Sequence, residues 1–270
     1  LMSEITEKKL KNLKKRIDKL ESAVIAFSGG CDSSFLAKVA YDVLSDKAIA
    51  ITANSELYAN SEVEDSKKVA SEIGIKHEII SSSELNVPGF RDNPPERCYY
   101  CKKELFSELL DIARKRKFNY VLDGSNSDDG DDYRPGMKAG KELKIRSPLR
   151  EAGLTKKEIR QLSRRIGLST ADKPAMACLA SRFPYGSKIS VGALNRIEKS
   201  EQFLRGLGFT QLRVRHHNDI ARIEVLPEDI EALLKNNLRK KILTEFKSLG
   251  YKYVTLDLEG YRTGSMNEVL

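Results

Sequence analysis

The chain has 270 residues, 40% of them hydrophobic and 32% charged, with a formal net charge of +8. That length supports one large domain or two modest ones, and no apolar run reaches the ~20 residues that span a bilayer. The lysine-rich stretch 8–19 lacks the apolar core of a signal peptide, so a cytoplasmic protein is expected. Positive charge suits a nucleic-acid partner and an enzyme of phosphate-bearing ligands equally. Four cysteines in a reducing compartment read as metal ligands or reactive thiols rather than as disulfides.

Ile5, Leu10, Leu13, Ile17 and Leu20, set among lysines, predict an amphipathic helix. The apolar run 23–27 predicts a strand, and Phe35-Leu36-Ala37-Lys38-Val39-Ala40 a helix. Between them, Ser28-Gly29-Gly30-Cys31-Asp32-Ser33-Ser34 writes a tight turn into a helix start, whose free N–H groups attract phosphate. No lysine follows the second glycine, so the loop is not of the Walker type. The order S-G-G-x-D-S instead resembles the pyrophosphate loop, or PP-loop, of ATP pyrophosphatases. That resemblance implies that ATP is cut to AMP and pyrophosphate, with Ser28, Gly29, Gly30, Asp32 and Ser33 holding the nucleotide.

Residues 48–53 read as a buried strand, and Ser61 with Glu64 as a capping box opening a helix to about residue 73. Gly74 ends that helix and 77–80 begins another strand. This alternation predicts an α/β domain with a parallel sheet, whose ligands sit beyond the carboxyl ends of the strands. The segment 87–95 holds three prolines and reads as a loop over that edge, leading to Arg97-Cys98-Tyr99-Tyr100-Cys101-Lys102 and a helix over 102–115. A strand at 120–123 ends in Gly124-Ser125-Asn126. The acidic run 128–132 lacks the spacing of a calcium loop and reads as a mobile polar loop, from which Asp128 and Asp129 could approach magnesium or a ribose of ATP. A strand ending Ile145-Arg146-Ser147-Pro148-Leu149 and a helix capped by Thr155 and Glu158 follow. Proline-bounded 173–186 breaks the helical pattern, and the domain boundary is drawn after it: 1–186 as the PP-loop domain, 187–270 as a smaller α+β domain for substrate binding or oligomerisation. In the latter, a helix over 191–206 precedes two alternating runs joined at His217-Asn218-Asp219, a predicted hairpin, then helical stretches and a last strand at 253–258.

Cys98 and Cys101 form a C-x-x-C pair, and Cys178 lies far downstream. Such a set could hold an iron–sulfur cluster with one iron lacking a protein ligand, could hold zinc, or could be separate thiols. Cys31 fills a variable position of the loop and reads as a small packing residue. Arg213 and Arg215, two apart on a strand, project from one face, as a phosphate clamp or as two exposed cations. Glu201 and Glu224 could hold a divalent ion, although isolated glutamates are usually solvated. Adjacent His216 and His217 point opposite ways and make no joint metal site.

Together, S-G-G-x-D-S-S, the Cys98–Cys101 segment, Arg134-Pro135-Gly136, Arg146-Ser147-Pro148-Leu149, Ala177-Cys178-Leu179-Ala180-Ser181-Arg182-Phe183-Pro184-Tyr185-Gly186 and Tyr261-Arg262-Thr263-Gly264-Ser265 resemble the LarE family over nearly the whole chain. The resemblance implies an ATP-dependent sulfur transferase acting on pyridinium-3,5-biscarboxylic acid mononucleotide, on the route to the nickel-pincer cofactor of lactate racemase, and an oligomer. It implies two sulfur chemistries. In one, a cysteine at the position of Cys178 surrenders its own sulfur. In the other, Cys98, Cys101 and Cys178 hold a 4Fe-4S cluster whose open iron carries a sulfide from an outside sulfur donor. The presence of Cys98 and Cys101 favours the second. It further implies magnesium (Mg2+) with ATP, Arg213 and Arg215 on the substrate phosphate, and Ser181 and Arg182 at the rim of the reacting centre. Two alternatives are a PP-loop tRNA thiolase, against which stands the lack of a recognisable RNA-binding module, and a non-catalytic nucleotide-binding or iron–sulfur carrier protein.

Overall fold

The computed structural model describes residues 4–130, 135–174, 177–262 and 264–269. Strands β1 (Ala23–Ala26), β2 (Ala48–Asn54), β3 (Lys76–Ser81) and β4 (Tyr120–Leu122) pair in the order β3-β2-β1-β4, each pair parallel. The helices around them are α1 (Glu4–Asp18), α2 (Cys31–Leu44), α3 (Asn60–Ile73), α4 (Arg97–Lys115), α5 (Pro135–Glu142), α6 (Pro148–Glu151) and α7 (Lys156–Arg165). Successive strand residues point to opposite faces. Ala23 and Ile25 join Leu13, Ile17, Phe35, Leu36, Ile73 and Leu162 in one core, while Val24, Ile49, Ile51 and Val121 join Leu105, Phe106 and Leu109 in another. Helices therefore cover both faces, as a parallel sheet requires. Connections from β1 and β4 leave the carboxyl edge side by side, where the strand order reverses direction, and such a switch point is where open sheets bind ligands.

Several local expectations change. The helix of the C-x-x-C pair starts at Arg97, so the two cysteines are its second and fifth residues rather than lying before it. Helix α3 starts at Asn60, with Ala59 as a cap that offers no side-chain bond, so the Ser61–Glu64 capping box is not made. The strand expected up to residue 149 is reduced to one parallel bridge between Leu122 and Arg146, because Pro148 opens α6 two residues later. The Thr155–Glu158 capping box is formed, Thr155 Oγ1 accepting from the Glu158 N–H and the Glu158 carboxylate from the Thr155 N–H. Asp131 and Asp132 lie outside the described residues.

The chain divides into two compact units, one of Leu1–Val87 with Glu96–Met176 and one of Pro88–Pro95 with Ala177–Leu270. The segment 177–186, assigned to the first domain by sequence, thus falls in the second unit, and the proline loop goes with it. The physical tie is Asn93, whose Nδ2 donates to the carbonyls of Phe183 and Pro184 and whose own carbonyl accepts from Gly186 N. In this unit β5 (Leu212–His217) and β6 (Ile220–Val225) form the expected antiparallel hairpin, turned at Asn218 with φ 55°, and β7 (Tyr253–Leu256) adds in parallel to β6. Helices α8 (Val191–Gly206), α9 (Ile230–Leu234) and α10 (Asn236–Ser248) belong to the same unit, whose α+β core includes Leu204, Leu212, Val214, Ile223, Leu233 and Phe246. Among the described residues no helix is long and apolar enough to cross a membrane.

Candidate active site

The loop between β1 and α2 holds its shape by local hydrogen bonds. Ser28 N donates to Ser33 Oγ at 3.3 Å, the two serine hydroxyls lie 3.0 Å apart, and Ser33 Oγ donates to the Gly30 carbonyl. Gly29 has φ +64°, and a Cβ there would stand 2.9 Å from the Ser66 backbone, so both conformation and space demand glycine. The cap residue Gly30 carries no side chain, and α2 therefore begins without a side-chain cap. Its first amides, at Cys31, Asp32 and Ser33, are left for an anion. Gly124, just after β4, comes so close that an added Cβ would lie 3.1 Å from Ser33 N. Cys31 itself is buried, its Sγ 3.7 Å from the Ala171 carbonyl, and burial pushes its thiol pKa up.

Two lysines far off in sequence frame this loop. Lys156, the first residue of α7, donates from Nζ to Asp32 Oδ2 at 2.5 Å, while its backbone N–H donates to Asp128 Oδ2. Burial pushes the Asp32 carboxyl up, and Lys156 opposes that shift. The other oxygen, Oδ1, is buried without a hydrogen-bond partner. Lys173 donates to the Gly29 carbonyl and to Asp65 Oδ2. Asp128 and Asp129 are drawn into a short turn, Asp129 Oδ2 accepting from Asn126 N.

Cys98 and Cys101 stand one helical turn apart on α4, the first exposed and the second half-buried. That i, i+3 spacing puts both thiols on one side of the helix. Gly136 of α5 abuts this turn, where a Cβ would meet Lys102 Cγ at 2.9 Å and the Cys98 carbonyl at 3.3 Å. Arg134, the first residue of the Arg134-Pro135-Gly136 motif, is outside the described residues.

In the second unit, half-buried Cys178 opens a short turn, Leu179–Arg182. Arg182 is only 1% exposed and works as an internal tie. Its Nη1 donates to the carbonyls of Ala177 and Cys178 and to Ser181 Oγ, while Nε and Nη2 form a fork with the buried Glu201 carboxylate. Arg215 repeats the arrangement, forked onto Glu224 and donating to the Ser181 carbonyl and Ser265 Oγ. Glu201 also accepts from Arg205 and Val214 N, and Glu224 from Arg222. The idea of a divalent ion on Glu201 and Glu224 gives way to this: both carboxylates are taken by guanidinium groups. Arg213 differs. It is buried, stacks over Tyr261 at 5.1 Å, and forms its hydrogen bond with the Leu212 carbonyl rather than with a carboxylate. Burial and neighbouring Arg182 lower its pKa, which marks a cation in want of an anion. Among the described residues no group of three or more His, Cys, Asp or Glu side chains is gathered as a metal site.

Sheet order and loop together define a PP-loop ATP pyrophosphatase domain. The model of the NAD synthase family matches residues 4–88. A Synechocystis protein of uncharacterised activity is 47% identical over 98% of both chains. The pyridinium-3,5-bisthiocarboxylic acid mononucleotide synthase of Lactiplantibacillus plantarum is 41% identical over 93% of this chain and 91% of its own. A tRNA-specific 2-thiouridylase of Rickettsia africae matches more weakly, at 28% over 58% of this chain and 53% of its own. The chain belongs to the LarE family.

Two outcomes follow from these contacts. Gly124→Ala should leave the fold intact and weaken ATP binding about tenfold in a direct titration, because its Cβ must push the Ser33 amide aside at an overpacking cost of ~1–3 kcal/mol; unchanged affinity would show that the amide is not in the site. Acid should unfold the second unit in two overlapping steps. Burial pushes His216 down to about 4 from 6.5, so its stabilisation is complete above 6.5 and fades as pH falls to 4. Burial alone would raise Glu201, but Arg182 and Arg205 hold it at about 2, below the ordinary 4.5. Its contribution, ~3 kcal/mol, is present above pH 4.5 and lost as pH falls to 2. Glu201→Gln should remove the lower step and destabilise the unit by ~3–5 kcal/mol in denaturant unfolding, since it strands Arg182.

Proposed function

We propose that this protein is an ATP-dependent sulfurtransferase that converts a carboxylate of pyridinium-3,5-biscarboxylic acid mononucleotide into a thiocarboxylate. The observation that carries the activation half is the uncapped start of α2 beside the Asp32–Lys156 pair, which offers amides and a cation to the phosphates of ATP. Family membership supports the substrate, since the Lactiplantibacillus relative bears the name of the bisthiocarboxylate synthase. The weaker, partial match to tRNA thiouridylases favours the rival reading less.

The chemistry balances as two displacements. A carboxylate is a poor electrophile, so one substrate oxygen attacks the α-phosphorus of ATP, the bond to the β-phosphate oxygen breaks, and pyrophosphate leaves. The amides of α2 stabilise the charge that gathers there. A sulfur nucleophile, hydrosulfide at its simplest, then adds to the acyl-adenylate carbonyl, AMP departs, one proton is released, and the thiocarboxylate remains. Asp32, with its buried and unpartnered Oδ1, fits a magnesium ion carried by ATP, which would neutralise phosphate charge.

Thiolates are a soft donor set, and the family resemblance supports Cys98, Cys101 and Cys178 as the ligands of a 4Fe-4S cluster. When bound, such a cluster would supply an open iron position for sulfide from an outside donor. Arg213 is suited to the substrate phosphate. Arg182 and Arg215, fixed by Glu201 and Glu224, hold the backbone on either side of Cys178 and Ser181 as positioning residues. Arg215 can share that phosphate only if Glu224 gives up part of its fork. We place the protein in the cytoplasm as a homo-oligomer.

Two measurements test this reading. With ATP and the biscarboxylate, AMP and pyrophosphate should form together with thiocarboxylate, and Asp32→Ala should slow pyrophosphate release roughly a hundredfold. Substrate-independent or absent release would contradict it. Anaerobically purified protein should be brown, with about four irons per chain. Cys98→Ala should then end repeated turnover and spare ATP binding. A colourless zinc protein would overturn the cluster.

A further inference from the structure

We infer that Lys156 is the phosphate-binding lysine of the nucleotide site, supplied to the S-G-G-C-D-S loop from a helix 124 residues away. This rests on reading Ser28–Ser34 as the nucleotide loop and adds to it a residue that makes contact with the leaving pyrophosphate.

Pyrophosphate departure gathers negative charge on the β- and γ-phosphates. Loops of the Walker type meet that charge with a lysine of their own, and this loop has none. The structure brings one in from outside. Lys156 Nζ lies 2.5 Å from Oδ2 of Asp32, the second residue of α2, and so stands beside the same uncapped amides. Its placement is built rather than incidental. The Lys156 backbone N–H is held by Asp128 Oδ2, and the turn it occupies is locked by the capping box of Thr155 and Glu158. Glu158 is in turn fixed by Lys9 Nζ from α1. The start of α7 is thus tied from two directions, while the side chain of Lys156 remains half-exposed.

The ammonium has three N–H donors, and the one hydrogen bond it makes among the described residues is to Asp32. Two donors are therefore available to phosphate oxygens without breaking that pair. The pair also serves the site before ATP arrives. Asp32 sits where burial pushes its carboxyl pKa up, and the adjacent ammonium opposes that shift. The alternative role, a purely structural bridge between α2 and α7, would make Lys156 matter for folding and leave phosphate affinity alone.

Those roles separate with inorganic pyrophosphate as the probe. Calorimetric titration of the full chain with pyrophosphate, ATP and AMP should show Lys156→Met losing roughly ten- to a hundredfold in affinity for pyrophosphate and ATP. AMP affinity should change less than twofold. Lys156→Arg should recover part of the loss, and Lys157→Met, which removes the same charge from the exposed neighbouring position, should bind pyrophosphate like the parent chain. If Lys156→Met fails to fold, Lys156→Gln and Lys156→Arg carry the comparison at matched melting temperature. Equal pyrophosphate affinity in a folded Lys156 variant, or an equal loss in Lys157→Met, would overturn the inference. A parent chain that binds neither ATP nor pyrophosphate would overturn the nucleotide site itself.

Discussion

An uncapped helix N-terminus at the middle of a parallel sheet is the constraint on which the first unit depends. Helix α2 must begin without a side-chain cap if its amides are to meet phosphate, and it must begin beside Gly124 if the strand order is to leave room there. The neighbouring features answer the costs of that choice. Gly29 adopts a left-handed turn against Ser66, two serine hydroxyls brace the loop from within, and Lys156 and Lys173 balance charge and carbonyl from without.

The second unit solves a different problem with the same chemistry. The backbone carbonyls of the turn at Cys178 cannot all be served by helix or sheet. Arg182 and Arg215 serve them, and each guanidinium is in turn fixed by a buried glutamate. Buried ion pairs add little net stability but punish the loss of either partner, so they define one geometry and exclude others. Arg213 is left outside this scheme, its hydrogen bond among the described residues going to the Leu212 carbonyl rather than to a carboxylate.

Much of this was readable along the chain because it is local. Alternation of helix and strand, the glycine loop, the hairpin at Asn218 and the Thr155–Glu158 capping box all depend on neighbours a few residues apart. The missed elements are contacts across long separations. Nothing around Lys156 or Lys173 distinguishes them from other surface lysines until the fold closes 124 and 144 residues of chain between them and the loop. The same holds for Gly124, whose role is set by Ser33. Helix starts shifted for a subtler reason: Ala59 and Glu96 make no side-chain cap, so the true first residues carried no signal.

The central claim is that one chain activates a carboxylate at its PP-loop and delivers sulfur to it repeatedly without giving up its own. Intact-protein mass spectrometry after several turnovers, under anaerobic conditions with sulfide supplied, tests this most directly. The account predicts a polypeptide mass unchanged from the starting chain. A chain lighter by one hydrogen sulfide, with dehydroalanine at Cys178, would contradict it.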